Sequence, residues 1–515
     1  MPVHDPEPRF LEDAIACVRR QTFSDWQLCL ADDGSSDERV RALLERHASE
    51  DERIELTRHA PARGISGATN AALDLARGEY IALMDHDDLI TDDALQAFAA
   101  LIREQPGLDM VYCDEDRVST DGAEHSHTFF KPDWSPDLFR TAMYTCHLGV
   151  YRRRLAVELG GFRSEFDGSQ DYDFVLRLIE RTARIGHIPR VLYSWRIHSL
   201  SAASGIEAKP AAAEAARSAI ESHLARMGVE GSVELGPHAN WYRVHYTADR
   251  AARVTLVVPL RTGPESVHDE SVLADCARSW EVAAHDRLDV MLAGSHETLA
   301  VHARALGDAE LGLERACLCA VADDEPGSAR LINEGVRETG NELLLLMQEP
   351  LLALAGGWIA QLAGMASQSG VAAAGGLVLS SDGRVQGGGV VFGDGWPLPV
   401  VYRGGDTLFP VLAANVRALN VAFMLRRETF EELGGLDEQL GDLALVDLCL
   451  RAGQCGLRAV LCSDVTFARS MLARPTASDP ALMTAFRARW RFLGPDPYYS
   501  PSFWQGRGDF SPAAG

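Results

Sequence analysis

Four polar residues in a row, Asp85-His86-Asp87-Asp88, follow the apolar run Tyr80 to Met84. Paired carboxylates on such a loop suit a hard divalent cation. Mg²⁺ and Mn²⁺ take oxygen ligands, use one or two protein carboxylates, and complete their shell with phosphate and water. A cation bridging a diphosphate would neutralise charge as that group leaves. The plainer reading caps the helix expected at Asp92 to Leu101, but four such residues exceed what a cap needs. Asp32-Asp33-Gly34-Ser35 ends an earlier run of β-formers, Trp26 to Ala31. Aspartates there can accept hydrogen bonds from a base or ribose, and Asp-Gly is also common turn chemistry; the two readings are compatible. Asp171, in Gly168-Ser169-Gln170-Asp171-Tyr172-Asp173, precedes a helical pattern. It reads as a general base for an acceptor hydroxyl or as a helix-start aspartate. These conflict, because a helix N-terminus lowers a carboxylate pKa and weakens the base. His198 closes an alternating strand and offers an imidazole to a cation, although a lone histidine is more often a polar surface or core residue. Lys131 and Trp134, in Lys131-Pro132-Asp133-Trp134, offer a charge and an aromatic face to phosphate or sugar; a proline-shaped connector is the competing reading.

Strands alternating with amphipathic helices must position these groups. The β-α-β-α-β order through Met84 predicts an α/β fold with a mostly parallel sheet. In such sheets ligands sit beyond the carboxyl ends of the strands, where both acidic clusters fall. An internal repeat then divides the chain. Asn70-Ala71-Ala72-Leu73 with Gly78 to Met84 answers to Asn333 to Val336 with Glu342 to Met347. Arg152-Arg153 leading to Leu159-Gly160-Gly161-Phe162 answers to Arg426-Arg427 leading to Leu433-Gly434-Gly435-Leu436, and Asp173 to Arg177 answers to Asp447 to Arg451. Two positions separate the copies: Asp85-His86-Asp87-Asp88 faces Gln348-Glu349-Pro350-Leu351, and Asp171 faces Leu445. Carboxylates present in one copy alone point to chemistry there, while Asp173, matched by Asp447, reads as structural. Arg469 is expected near the place of His198. The predicted division is a first domain at 1–204, a helical linker at 205–252 and a second, degenerate domain at 253–515.

Length and charge narrow the partners. A chain of 515 residues suggests two or three domains. Acidic residues outnumber basic ones, 74 against 49, for a net charge of −25. That excludes a phosphate-backbone partner as the main ligand and strong electrostatic attachment to anionic lipid. The ten cysteines are scattered without a CxxC pair, as in a reduced cytosolic protein. No apolar run reaches the roughly eighteen residues of a membrane span, and no signal peptide is expected at the N-terminus.

These motifs together resemble the family 2 glycosyltransferases of GT-A fold, in particular bacterial enzymes of cell-surface polysaccharide and O-antigen synthesis of the rhamnosyltransferase kind. The resemblance rests on Met1-Pro2-Val3, Ala31 to Asp37, Met84 to Asp88, Phe130 to Trp134, Gly168 to Asp173 and Ser194 to His198. It implies two tandem nucleotide-diphospho-sugar transferase domains, the second ending in Asp496-Pro497-Tyr498-Tyr499-Ser500-Pro501. It places Pro2, Asp32, Asp33, Gly64, Asn70, Asp85 and His86 on the donor side, Asp87 and His198 at Mg²⁺ or Mn²⁺, Asp171 as the base of a single inverting displacement, and Lys131 and Trp134 towards the acceptor. The implied donor is a UDP- or dTDP-sugar and the implied acceptor a glycan, free or lipid-linked. The expected setting is the cytoplasm or the inner face of the cell membrane, with peripheral membrane contact left open. An inactive glycan-binding or assembly scaffold is the alternative. One departure concerns Met1-Pro2-Val3, which stands where the second copy has the full apolar strand Val254 to Val258: either the start lies upstream or the first sheet lacks part of a central strand.

Overall fold

The computed structural model describes residues 1–198, 210–236, 238–249, 252–261, 270–282, 288–308, 316–322, 327–380, 383–393, 396–399, 413–469, 480–506 and 510–513. The chain forms two compact units, Met1–Val244 and His245–Gly515.

The first unit opens with β1 (Pro2–Val3) and α1 (Pro8–Arg19). Proline in the first turn of α1 suits a helix start, and Phe10, Leu11, Ala14, Ile15 and Val18 form its buried stripe. The expected alternation continues through β2 (Leu28–Asp32), α2 (Glu38–Glu50), β3 (Ile54–Arg58), α3 (Gly64–Leu75) and β4 (Tyr80–Leu83). After β5 (Leu89–Ile90) and α4 (Ala94–Glu104) come β6 (Met110–Val118), β7 (His125–Phe129), α5 (Pro136–Phe139) and β8 (Gly149–Arg152). Then follow α6 (Arg153–Glu158), α7 (Gln170–Ile179), β9 (Ile185–Arg196) and α8 (Pro210–Arg226). The strands β1-β2-β3 form one parallel sheet, and β4-β8-β6-β9-β5 form another. In the latter, β6 and β9 are parallel while β8 runs antiparallel to β4 and β6. The α/β class is as expected. The sheet is mixed because β8 returns between β4 and β6 without a crossover helix, as an antiparallel neighbour can.

In the second unit the strand Val254–Pro259 is central. It pairs in parallel with Leu288–Ser295 on one side and Leu343–Met347 on the other. All five residues of Leu343–Met347 are buried. The repeat holds strand by strand: Tyr80 lies opposite Arg152 and Leu83 opposite Gly149, just as Leu343 lies opposite Arg426 and Leu346 opposite Phe423. Tyr80 therefore corresponds to Leu343, Asp85 to Gln348, and His147 to Val421.

The two units differ at the first strand. β1 contributes only Pro2 and Val3, opposite Ala31 and Asp32, and β4 pairs with β8 on one edge alone among the described residues. Between β2 and β4, where Val254–Val257 would correspond, runs a cavity of about 1070 Å³ lined by Trp26, Cys29, Ile81, Leu83 and Phe98 among others. Ala82 is accordingly exposed, whereas its counterpart Leu345 is buried.

Within the expected linker, residues 205–209, 237, 250 and 251 lie outside the described set. The helix there, α8, belongs to the first unit. Ser169 Oγ donates to Ala212 O at 2.9 Å, and Glu180 binds both His223 and Arg226. The two units thus divide at Val244, forty residues beyond the expected end of the first domain.

Candidate active site

The loop after β4 carries the acidic run. Asp88 is buried; its Oδ2 accepts from Tyr193 Oη at 2.5 Å and its Oδ1 from the Arg196 N–H at 2.8 Å. Burial and the facing carboxylates of Asp85 and Asp87 push the Asp88 carboxyl up to about 8. Arg196, almost wholly buried, also donates to the Asp87 carbonyl and to Asp13. These bonds fasten the loop to β9. In the second unit two buried apolar residues, Leu351 and Phe467, take the places of Asp88 and Tyr193.

Asp87 Oδ2 lies 2.7 Å from His198 Nε2, which joins the two residues assigned to a metal. The carboxylate suits Mg²⁺ or Mn²⁺, and the imidazole adds a nitrogen donor. Arg469 does not stand at His198. The pairings Leu89↔Ser194 and Leu352↔Ala468 put it at Trp195, where it forms an ion pair with Glu349.

Asp85 points the other way, towards the cavity. Its Oδ2 is 3.6 Å from His147 Nε2. His147 stacks on Trp195 with ring centroids 5.0 Å apart and meets Tyr193 edge-on. Asp171 faces the same space: the ligand-type atoms of Cys146, His147 and Asp171 lie within 4.8 Å of one another. Asp85, His147, Asp171 and Trp195 all line the cavity. Burial pushes the Asp171 carboxyl up, while His147 and the Tyr172 N–H draw it down. His147 is pushed the opposite way to a buried imidazole. Burial alone would lower it, but its bond to Asp85 and the charge of Asp171 raise it to about 9. The raised imidazole faces two carboxylates, Asp85 and Asp171.

Other expected residues sit apart from this cluster. Asp33 caps the start of α3: its oxygens accept from the Arg63 N–H at 2.7 Å and the Gly64 N–H at 2.9 Å. Gly64 has φ +79°, and a Cβ there would meet Asp167 Oδ2 at 2.6 Å, so the turn needs glycine. Asp32 is buried and bonded to Arg58 and to the Ser35 N–H. His86 Nδ1 lies 3.3 Å from the Pro2 carbonyl, bringing β1 and the acidic loop together. Asn70, expected at the donor, spends its amide as a strut: Nδ2 donates to Phe162 O and Oδ1 accepts from Phe162 N, both at 2.8 Å. Asn333 does the same with Leu436, so this is framework common to both units. Lys131, placed towards the acceptor, is fully buried. Its ammonium binds Glu115 at 2.7 Å and the His147 carbonyl at 3.2 Å, which makes it a support beneath His147. Trp134 packs on Phe139 and Tyr144 in the same layer.

His147 did not emerge from sequence reasoning, and Asp88 entered it only as part of the acidic run, with no role of its own. The comparison of copies that singled out Asp85 and Asp171 contains the signal for both: Cys146-His147 faces Asn420-Val421, and Asp88 faces Leu351.

Residues 1–160 match the family described as Glycosyl transferase family 2. Over 536 residues the chain is 33% identical to the uncharacterised protein y4gI of Sinorhizobium fredii, covering 99% of this chain and 58% of that one. It is 31% identical over 522 residues to the O-antigen biosynthesis protein RfbC of Myxococcus xanthus, covering 97% of this chain and 40% of that one. The chain thus spans about half the length of these relatives. Chondroitin synthase of Escherichia coli is 28% identical over 190 residues, covering 37% of this chain and 27% of that enzyme. Among solved structures, Staphylococcus aureus TarS 1–349 in complex with UDP-GlcNAc aligns at 20% identity and TM-score 0.36, covering 43% of this chain and 64% of that one.

Proposed function

We propose, from the match of residues 1–160 to Glycosyl transferase family 2, that the first unit is an inverting glycosyltransferase, moving a sugar from a UDP- or dTDP-linked donor to a cell-surface glycan. The observation that carries this reading is the meeting of Asp85 and Asp171, from distant elements, at one end of a single cavity. Asp171 takes the proton of the acceptor hydroxyl. The freed oxygen attacks the anomeric carbon as the bond from that carbon to the diphosphate oxygen breaks, so one displacement inverts the centre. Asp85 orients the donor ribose or diphosphate, and Asp32 and Asp33 border the nucleoside. Asp87 and His198 would hold Mg²⁺ or Mn²⁺, whose chemistry is to offset the charge of the departing diphosphate.

Calorimetric titration of UDP, dTDP and GDP, with and without Mn²⁺, tests the donor side. Metal-dependent binding of one nucleotide is expected, with a loss of at least tenfold in affinity in Asp87→Ala. Absence of binding by all three would favour the second reading, an inactive glycan-binding scaffold. The second unit supports that role for itself: Gln348, Val421 and Leu445 replace Asp85, His147 and Asp171, leaving neither base nor paired charge. Acceptor-glycan binding without metal dependence is what we propose for it.

A further inference from the structure

We propose that His147 is the positioning cation of the reaction: it lies between Asp85 and Asp171 and holds the donor-side carboxylate and the base in one site. This rests on the reading of Asp171 as base. Two carboxylates facing one space repel each other, and a cation between them removes that cost. His147 is itself held from three sides. Trp195 stacks on its face, Tyr193 meets its edge, and the buried Lys131 ammonium binds its carbonyl. A ring so confined has little freedom to leave the ion pair.

The second unit supplies the independent observation. Its framework matches the first closely. Arg451 repeats the bonds of Arg177, to Asp447 as to Asp173, and to the carbonyls of Leu433 and Gly435 as to those of Leu159 and Gly161. Yet the three charged members of the site are uncharged there together: Gln348, Val421 and Leu445. A histidine needed only for packing has no reason to go with the carboxylates. A histidine whose purpose is to serve them does.

The groups facing Asp171 are His147 and Cys146 ahead of β8, Tyr151 on β8 and Asp85 after β4. Glu115 on β6, paired with Lys131, faces His147. Of these, His147 is the cation placed against the carboxylate. Without it the burial of Asp171 and the charge of Asp85 both favour protonation of the base. The acid limb of the pH–rate profile then moves to higher pH.

The test uses the full chain as wild type, His147→Gln and His147→Arg, with Mn²⁺ and hydrolysis of UDP-, dTDP- and GDP-hexoses as the assay. In His147→Gln the acid limb of kcat/KM is expected to rise by one pH unit or more, and His147→Arg is expected to restore much of it. Equal loss at every pH, with no displaced limb, would overturn the proposal. Asp171→Asn, measured alongside, separates the two readings: if it keeps its rate, the base assignment fails, and if it is inactive while the His147→Gln limb stays put, the positioning role fails. Thermal unfolding against pH gives a readout independent of donor. His147 is raised from its ordinary value to about 9, so its ion pair is fully present below about 6.5 and is lost as pH rises through about 9. The wild type is expected to lose stability across that window by more than His147→Gln; identical curves would count against the ion pair.

Discussion

Asp171→Asn is expected to lower kcat by roughly 10²–10⁴-fold, the usual worth of a general base, while nucleotide affinity stays within about twofold. The substitution keeps the shape of the side chain and its bond to the Tyr172 N–H, so the unfolding midpoint is expected to move little. The direction of the carboxyl's shift adds a second readout. Burial raises it, the first cause, and His147 and the Tyr172 N–H oppose that. A base so raised is ionised only above its displaced pKa, and the wild-type rate falls as pH drops through that value. The helix start at Gln170, expected to weaken Asp171 as a base through the macrodipole, is thus outweighed by burial. Transfer assays from pH 5 to 9 on both proteins check this: Asp171→Asn should show a small, flat residual rate. A variant that retained the wild-type acid limb would move the base elsewhere.

The sequence allowed the repeat to be read, and from the repeat came much of the site. Asp85 and Asp171 stood out because an apolar or neutral residue faces each in the second copy, and the structure brings both to the cavity. What escaped depended on partners that no linear pattern shows. Lys131 beside Trp134 reads as an exposed recognition pair until Glu115 and the His147 carbonyl bury its ammonium. Asn70 reads as polar and available at a helix, yet its amide is consumed by Phe162, a residue 92 positions away. His147 falls in a stretch without periodicity, Thr145-Cys146-His147, where nothing local marks it. The register of β8 against β4 is what identifies Val421 as its counterpart. The mixed sheet escaped for a related reason. Apolar runs mark which residues form strands but not the direction of each, and β8 runs antiparallel to both β4 and β6.

Two residues beyond the proposed base, Asp173→Ala is expected to do the reverse of Asp171→Asn: destroy stability and leave the chemistry of folded molecules intact. Asp173 is wholly buried and accepts from Arg177 Nε at 2.9 Å and Arg163 Nε at 3.1 Å. Arg177, itself almost wholly buried, also donates to Leu159 O at 2.8 Å and Gly161 O at 2.7 Å. It thereby fastens the Gly160-Gly161 turn that Asn70 grips at Phe162. Truncating the carboxylate leaves a buried guanidinium without its counter-charge, a change that costs roughly 3–5 kcal/mol. At roughly 2–4 °C per kcal/mol the first unit's midpoint should fall by on the order of 10 °C. Asp447 holds the same position in the second unit, bound to Arg451 at 2.7 Å and to Trp490 Nε1 at 3.0 Å. Asp447→Ala should therefore destabilise the second unit comparably, although no base is proposed for that unit. Differential scanning calorimetry of both variants, with kcat measured well below the midpoint, separates scaffold from chemistry within one helical turn. An Asp173→Ala protein that melted like the wild type but had lost its rate would exchange the roles of Asp171 and Asp173. It would also undo the proposal that a carboxylate shared by both copies serves the fold and one kept by a single copy serves the reaction.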